Sequence, residues 1–156
     1  MINGIPDLLK GLAQDAVDET LALGSRILLA GGDELFRLGV EADCLYLVAR
    51  GRINLTLPMQ VRGKDQDVLV EERIPGQTVG WSALIPPYRF TLRATAPLAT
   101  EVISLSRDAL CDHFERHPEV GYMVTLNLAA VIGQRLQLFQ AMWLREMERM
   151  VELRCA

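Results

Sequence analysis

The chain has 156 residues, 50% of them hydrophobic and 23% charged, and 20 acidic against 16 basic side chains give a net charge of -4. That length carries one ordinary core without disulfide or metal staples, and the acidic balance argues against a nucleic-acid binder, which needs a basic face to release counterions. Low-complexity tracts, charge blocks and apolar runs of the ~18 residues needed to span a bilayer are all missing.

Cys44, Cys111 and Cys155 are scattered. They suit neither a disulfide framework nor a metal pattern and point to a reducing compartment. The first ten residues lack a basic lead and include Asp7, so the expected location is the cytoplasm.

In chain order, Asp7 to Leu23 places Leu8, Leu9, Leu12, Ala16, Val17, Thr20 and Leu21 at helical spacing between acids and ends at Gly24, which predicts an amphipathic N-terminal helix. From Arg26 to Leu105 the texture becomes short apolar or alternating runs broken by turn residues. Strands are expected at 26–29, 34–37, 44–49, 52–57, 67–73, 78–80, 89–96 and 101–106, with turns at Gly31-Gly32, Gly39, Gly51, 62–65 and Pro75-Gly76. This spacing predicts a mainly β fold, a roll or sandwich and not a parallel βαβ sheet.

Helical period returns after Arg107. Asp108 to Arg116 reads as a short helix, His117-Pro118 breaks it, and Glu119 to about Arg154 reads as one long helix. One domain is expected, divided into an N-terminal helix (1–24), a β-roll (25–107) and C-terminal helices (108–156). The long helix would extend ~50 Å at ~1.5 Å per residue, past a body whose radius of gyration is ~15 Å. Its stripe of Leu128, Ile132, Leu136, Phe139, Trp143, Met147 and Met150 therefore predicts a homodimer through that helix.

The stretch Val79-Gly80-Trp81-Ser82-Ala83-Leu84, followed by Pro86-Pro87 and by Arg89 and Arg93, has the makings of an anion-cradling loop. A glycine gives the tight entry, small residues let backbone N–H groups approach, and a helical turn adds its positive end. The candidate ligand-binding residues are Gly80, Trp81, Ser82, Ala83, Leu84, Arg89, Thr91 and Arg93, with Ser82 also expected to cap the turn.

Gly32-Asp33, Phe36, Gly39, Ala42, Leu45-Tyr46-Leu47-Val48 and Gly51, with Gly80, Ala83 and Leu84 later, resemble the signature of the cyclic-nucleotide-binding domain family, catabolite-activator type. The break at His117-Pro118-Glu119 before a long helix resembles that family's dimerisation helix. The likeness runs over roughly residues 5 to 150. It implies a β-roll or jelly roll with an N-terminal helix and a long C-terminal dimerisation helix, and a regulatory receptor of bacterial type for a cyclic nucleotide or another small anion.

Two departures stand beside the match. The family's ribose-binding glutamate follows the cassette glycine, and here that residue is Trp81, whose indole donates and cannot accept. The family's phosphate-pairing arginine falls at Phe90, with Arg89 just before it and Arg93 three residues on.

The resemblance thus implies a stand-alone member with a degenerate cassette and without the helix-turn-helix, so no direct DNA contact is expected. Two functions follow from it. One is a non-catalytic sensor that binds at residues 80–93 and signals through the dimer helix. The other is a ligand-free receptor acting as a dimerisation or protein-docking scaffold.

His113 and His117 are spaced i,i+4 near Cys111, but Pro118 ends that helix and the third ligand of a zinc helix is missing. Both histidines lie outside the strand region, which excludes a cupin-type metal site. There is no Ser/His/Asp or Cys/His constellation, paired carboxylate with a base, or Walker or dinucleotide-binding glycine loop, so neither catalysis nor a cofactor is expected.

Overall fold

The computed structural model describes residues 4–155. Eight strands form two antiparallel four-stranded sheets: β1 (Ser25–Leu29), β2 (Glu34–Phe36), β3 (Cys44–Arg50), β4 (Ile53–Val61), β5 (Lys64–Arg73), β6 (Thr78–Val79), β7 (Arg93–Thr95) and β8 (Thr100–Ser106). One sheet runs β1-β8-β3-β6 and the other β2-β7-β4-β5. Leu45, Leu47, Val102 and Leu105 of the first sheet share one core with Ile53, Leu55 and Ala94 of the second. This is the expected β-roll with flanking helices.

Helix α1 spans Gln14–Ala22, α2 spans Arg107–Arg116 and α3 spans Pro118–Cys155. Ser106 caps α2 by accepting from the Ala109 N–H at 3.2 Å, and Pro118 opens α3 where its missing donor costs nothing. The ends of the expected 1–24 and 108–156 segments, residues 1–3 and 156, lie outside the described residues.

Four local expectations need correction. The N-terminal helix predicted from Asp7 is two pieces, a 3-10 turn at Asp7–Leu9 and then α1. Gly11 separates them at φ +82°, where a built Cβ would stand 2.7 Å from the Met123 side chain of α3. Leu8 and Leu9 are fully buried, and the Asn127 amide of α3 donates to the carbonyls of Leu8 and Lys10. Packing on α3 thus overrides continuous helical propensity.

The strand expected over 89–96 shrinks to β7, because residues 88–90 bond instead to the 39–42 segment: Phe90 N–H to Val40 O at 3.0 Å, Gly39 N–H to Phe90 O at 2.8 Å and Ala42 N–H to Tyr88 O at 2.8 Å. The β4–β5 hairpin runs past its predicted ends to a turn at Arg62-Gly63. Finally, Ser82 caps no helix: the turn at Trp81–Leu84 is entered from Gly80, without a side-chain cap.

Candidate functional site

The cassette begins where β6 ends. Gly80 adopts φ +78° and ψ +35°, a left-handed conformation open to glycine, and hands the chain to the 3-10 turn Trp81–Leu84. Ser82 and Ala83 are buried, while Trp81 and Leu84 are half-buried against the core.

The space in front of Gly80 is filled. A Cβ built there would meet Phe90 Cε1 at 3.1 Å and Tyr46 Cδ2 at 3.4 Å. The Phe90 ring stacks on Phe36 with centroids 3.7 Å apart and planes at 8°, and Phe36 lies 5.9 Å from Tyr46. Burial pushes the Tyr46 hydroxyl up to about 12, so it stays neutral. The cavity left among Phe36, Leu55, Trp81, Phe90, Thr91 and Arg135 is about 10 Å³, the volume of roughly one water.

The structure separates the candidate arginines from this cavity. Arg89 is exposed, and its Nη1 donates to Gly39 O at 2.9 Å. Arg93 alternates with buried Leu92 and Ala94, so its side chain stands on the outer face of β7. There its Nε donates to Glu34 Oε2 at 2.6 Å and its Nη1 pairs with Asp67. Arg37, then Arg93, holds the Glu34 carboxyl below its ordinary value, while Glu34 raises the guanidinium of Arg93.

The cation that does line the cavity is Arg135 of α3, which the residue-level reading did not single out. Its Nε donates to Glu71 Oε2 at 3.0 Å, and its Nη2 stands 2.9 Å from the same oxygen. Glu71 Oε1 lies 2.8 Å from Nη2 of Arg73, whose side chain is 3% exposed. Burial lowers the Arg135 guanidinium from its ordinary value, Glu71 opposes that, and the charge of Arg73 adds to it. The only sequence signal was an arginine at helical spacing within an otherwise apolar stripe.

The seven residues of the long-helix stripe divide between two faces, with Leu128 buried in the domain's own core. Ile132 and Phe139 pack on the domain's own core, whereas Leu136, Trp143 and Met150 are exposed and Met147 is intermediate. The exposed side continues toward the N-terminus through Tyr122, Leu126, Ala129 and Gly133, and around Gly133 a built Cβ meets nothing within 4 Å.

His113 is buried, and its Nε2 lies 3.4 Å from Thr20 Oγ1, whose hydroxyl donates to Ala16 O. Thr20 can therefore only accept from the imidazole. Among the described residues no group of three or more His, Cys, Asp or Glu side chains is placed to hold a metal, and no helix is long and apolar enough to cross a membrane.

The family model described as the cyclic nucleotide-binding domain matches residues 26–117. The cyclic AMP receptor protein of Thermus thermophilus is 30% identical over 130 residues, which are 83% of this chain and 57% of that protein. Little more than half the length of that curated relative is therefore spanned. The crystal structure of Thermus thermophilus catabolite activator protein superposes with a TM-score of 0.70 and 28% identity, covering 94% of this chain and 62% of the other. A cyclic nucleotide-binding domain from Methylobacillus flagellatus shares the fold at a TM-score of 0.69 and 20% identity, covering 94% of this chain and 79% of its own.

Proposed function

The chain belongs to the cyclic nucleotide-binding domain family, and from that premise we propose that it is a regulatory domain whose cassette works without a nucleotide. In this reading it is a dimerisation and protein-docking scaffold. The observation that carries the reading is the Phe90 ring in front of Gly80, where a phosphate would need to approach the backbone. Trp81 cannot accept from a ribose hydroxyl, Arg93 is committed to Glu34 and Asp67, and about 10 Å³ of space is far below the ~300 Å³ at which small-molecule sites begin.

The scaffold's output surface is α3. Tyr122, Leu126, Ala129, Gly133, Leu136, Gln140, Trp143, Met147 and Met150 recur at alternating steps of four and three, the spacing of a two-helix seam. Ala129 and Gly133 leave room for a second helix to come close, and Trp143 is 63% exposed. A second copy across a two-fold axis offers the same seam in return.

The test is a thermal-shift panel of cyclic mononucleotides and cyclic dinucleotides. The scaffold reading expects no saturable stabilisation. The second reading, a sensor of a nucleotide-like or other anionic ligand at residues 80–93, draws on the relative's name and on the exposed Arg89. It expects a shift growing as RT ln(1 + [L]/Kd) that disappears when Arg89→Ala is combined with Arg93→Ala. That outcome would overturn the scaffold reading.

A further inference from the structure

We infer that the far end of α3 joins two dimers into a tetramer, through a four-helix bundle in which the second pair of helices runs antiparallel to the first. This tetramer rests on the two-helix seam proposed above and adds a separate contact to it.

The heptad pattern changes along the helix. With Leu126, Gly133, Gln140 and Met147 at a, and Ala129, Leu136, Trp143 and Met150 at d, the e positions are Ala130, Gln137, Leu144 and Val151. The first two are small or polar, which suits a strict two-helix seam. The last two are bulky, apolar and each 56% exposed. Apolar residues at a, d and e make the wider face of a bundle helix, whereas a two-stranded coil commonly carries charge at e.

At ~100° per residue, Met150, Trp143, Met147, Val151 and Leu144 fan over ~120° of the helix surface. One partner helix covers the strip of a and d residues and leaves Leu144 and Val151 in water. A second pair of helices covers them.

The end of the helix is also clear of the roll. Among the described residues, Phe139 is the last on α3 to pack on the core. Residues 140–155 extend ~24 Å past that contact at ~1.5 Å per residue, so a second dimer can enter from the far end without meeting the rolls.

Charge favours the antiparallel arrangement. Residues 140–155 hold Arg145, Arg149 and Arg154 against Glu146, Glu148 and Glu152, so their formal charge is zero and the chain's -4 lies wholly on the rest. Parallel tails would crowd four acidic rolls together, whereas antiparallel tails hold the two pairs apart. An overlap centred between Met147 and Glu148 sets Leu144 of each helix level with Val151 of its antiparallel neighbour. Two-fold symmetry then closes the assembly and leaves no face free to propagate a fibre.

The experiment follows the full chain by sedimentation and multi-angle light scattering from low to high micromolar concentration. Wild type is expected as a dimer–tetramer equilibrium. Leu144→Gln with Val151→Gln keeps good helix formers on the surface, and it is expected to weaken the tetramer about a hundredfold while the dimer persists and the circular dichroism stays unchanged. Small-angle scattering of the tetramer should show two separated masses joined by a rod.

A wild type that remains a dimer throughout overturns the tetramer and leaves the two-helix seam standing, which is also the result if a different protein covers Leu144 and Val151. A monomer overturns both. The tetramer is overturned as well if the double variant assembles as wild type does, or if scattering places all four rolls at one end.

Discussion

The cassette and the far half of α3 use apolar side chains in opposite ways. At the cassette, Phe36, Phe90 and Trp81 are drawn inward until about 10 Å³ remains. On α3, Leu136, Trp143, Leu144 and Met150 stand in solvent, because a helix of 38 residues, about 57 Å at ~1.5 Å per residue, outruns the roll beneath it. The first region satisfies itself, whereas the second needs a surface from elsewhere. A sensor would show the reverse at the first site, with polar groups held open for a ligand.

The largest test of this contrast is Phe90→Ala. Removing a stacked, buried ring should cost about 3–5 kcal/mol in chemical denaturation, and a loss below about 1 kcal/mol would mean the interior is not packed as described. Glu71→Gln follows at about 3 kcal/mol, since it leaves two buried guanidiniums without a counter-charge. Arg93→Gln, which breaks a partly exposed pair on the outer face, should cost under about 1 kcal/mol. Equal losses in these two variants would erase the distinction between the inner and outer ion clusters.

On the exposed side, Leu136→Asp with Trp143→Asp should weaken self-association by about a hundredfold in sedimentation. Monomer stability should stay within about 0.5 kcal/mol. A variant that unfolds instead would show that this face is already covered by its own chain.

The smallest effect concerns His113. Burial first, then the charges of His117 and Arg116, lowers its imidazole from the ordinary value, while Glu19 and Glu119 oppose the shift. The unfolded chain therefore takes the proton first. The fold should lose this contribution as pH falls below about 6.5 and through the lowered value, and gain nothing further above it. Urea midpoints compared across that window should show the loss in wild type and a flatter profile in His113→Gln.

Much of this was legible in the residues because it is local. Alternation and turn glycines predict the strands, and the His117-Pro118 break predicts the start of α3 within a residue or so. The misses come from tertiary contacts. Asp7 to Leu23 reads as one helix until Met123 of α3 closes on Gly11. Two apolar stripes lie side by side on α3, and period alone does not say that Ile132 and Phe139 belong to the inner one. Arg135, Glu71 and Arg73 meet only because the fold brings β5 against the helix, so neither spacing nor composition could have paired them.

Gly80 has a consequence for how such motifs are read. Its left-handed backbone disfavours other residues on conformational grounds, and the Phe90 ring, 3.1 Å from a built Cβ, would have to give way by a few tenths of an ångström to admit one. The second constraint exists with the protein's own aromatic as the neighbour. A glycine here can thus be held in place by the protein's own ring, and the letter G at this position is not by itself a sign that a ligand binds.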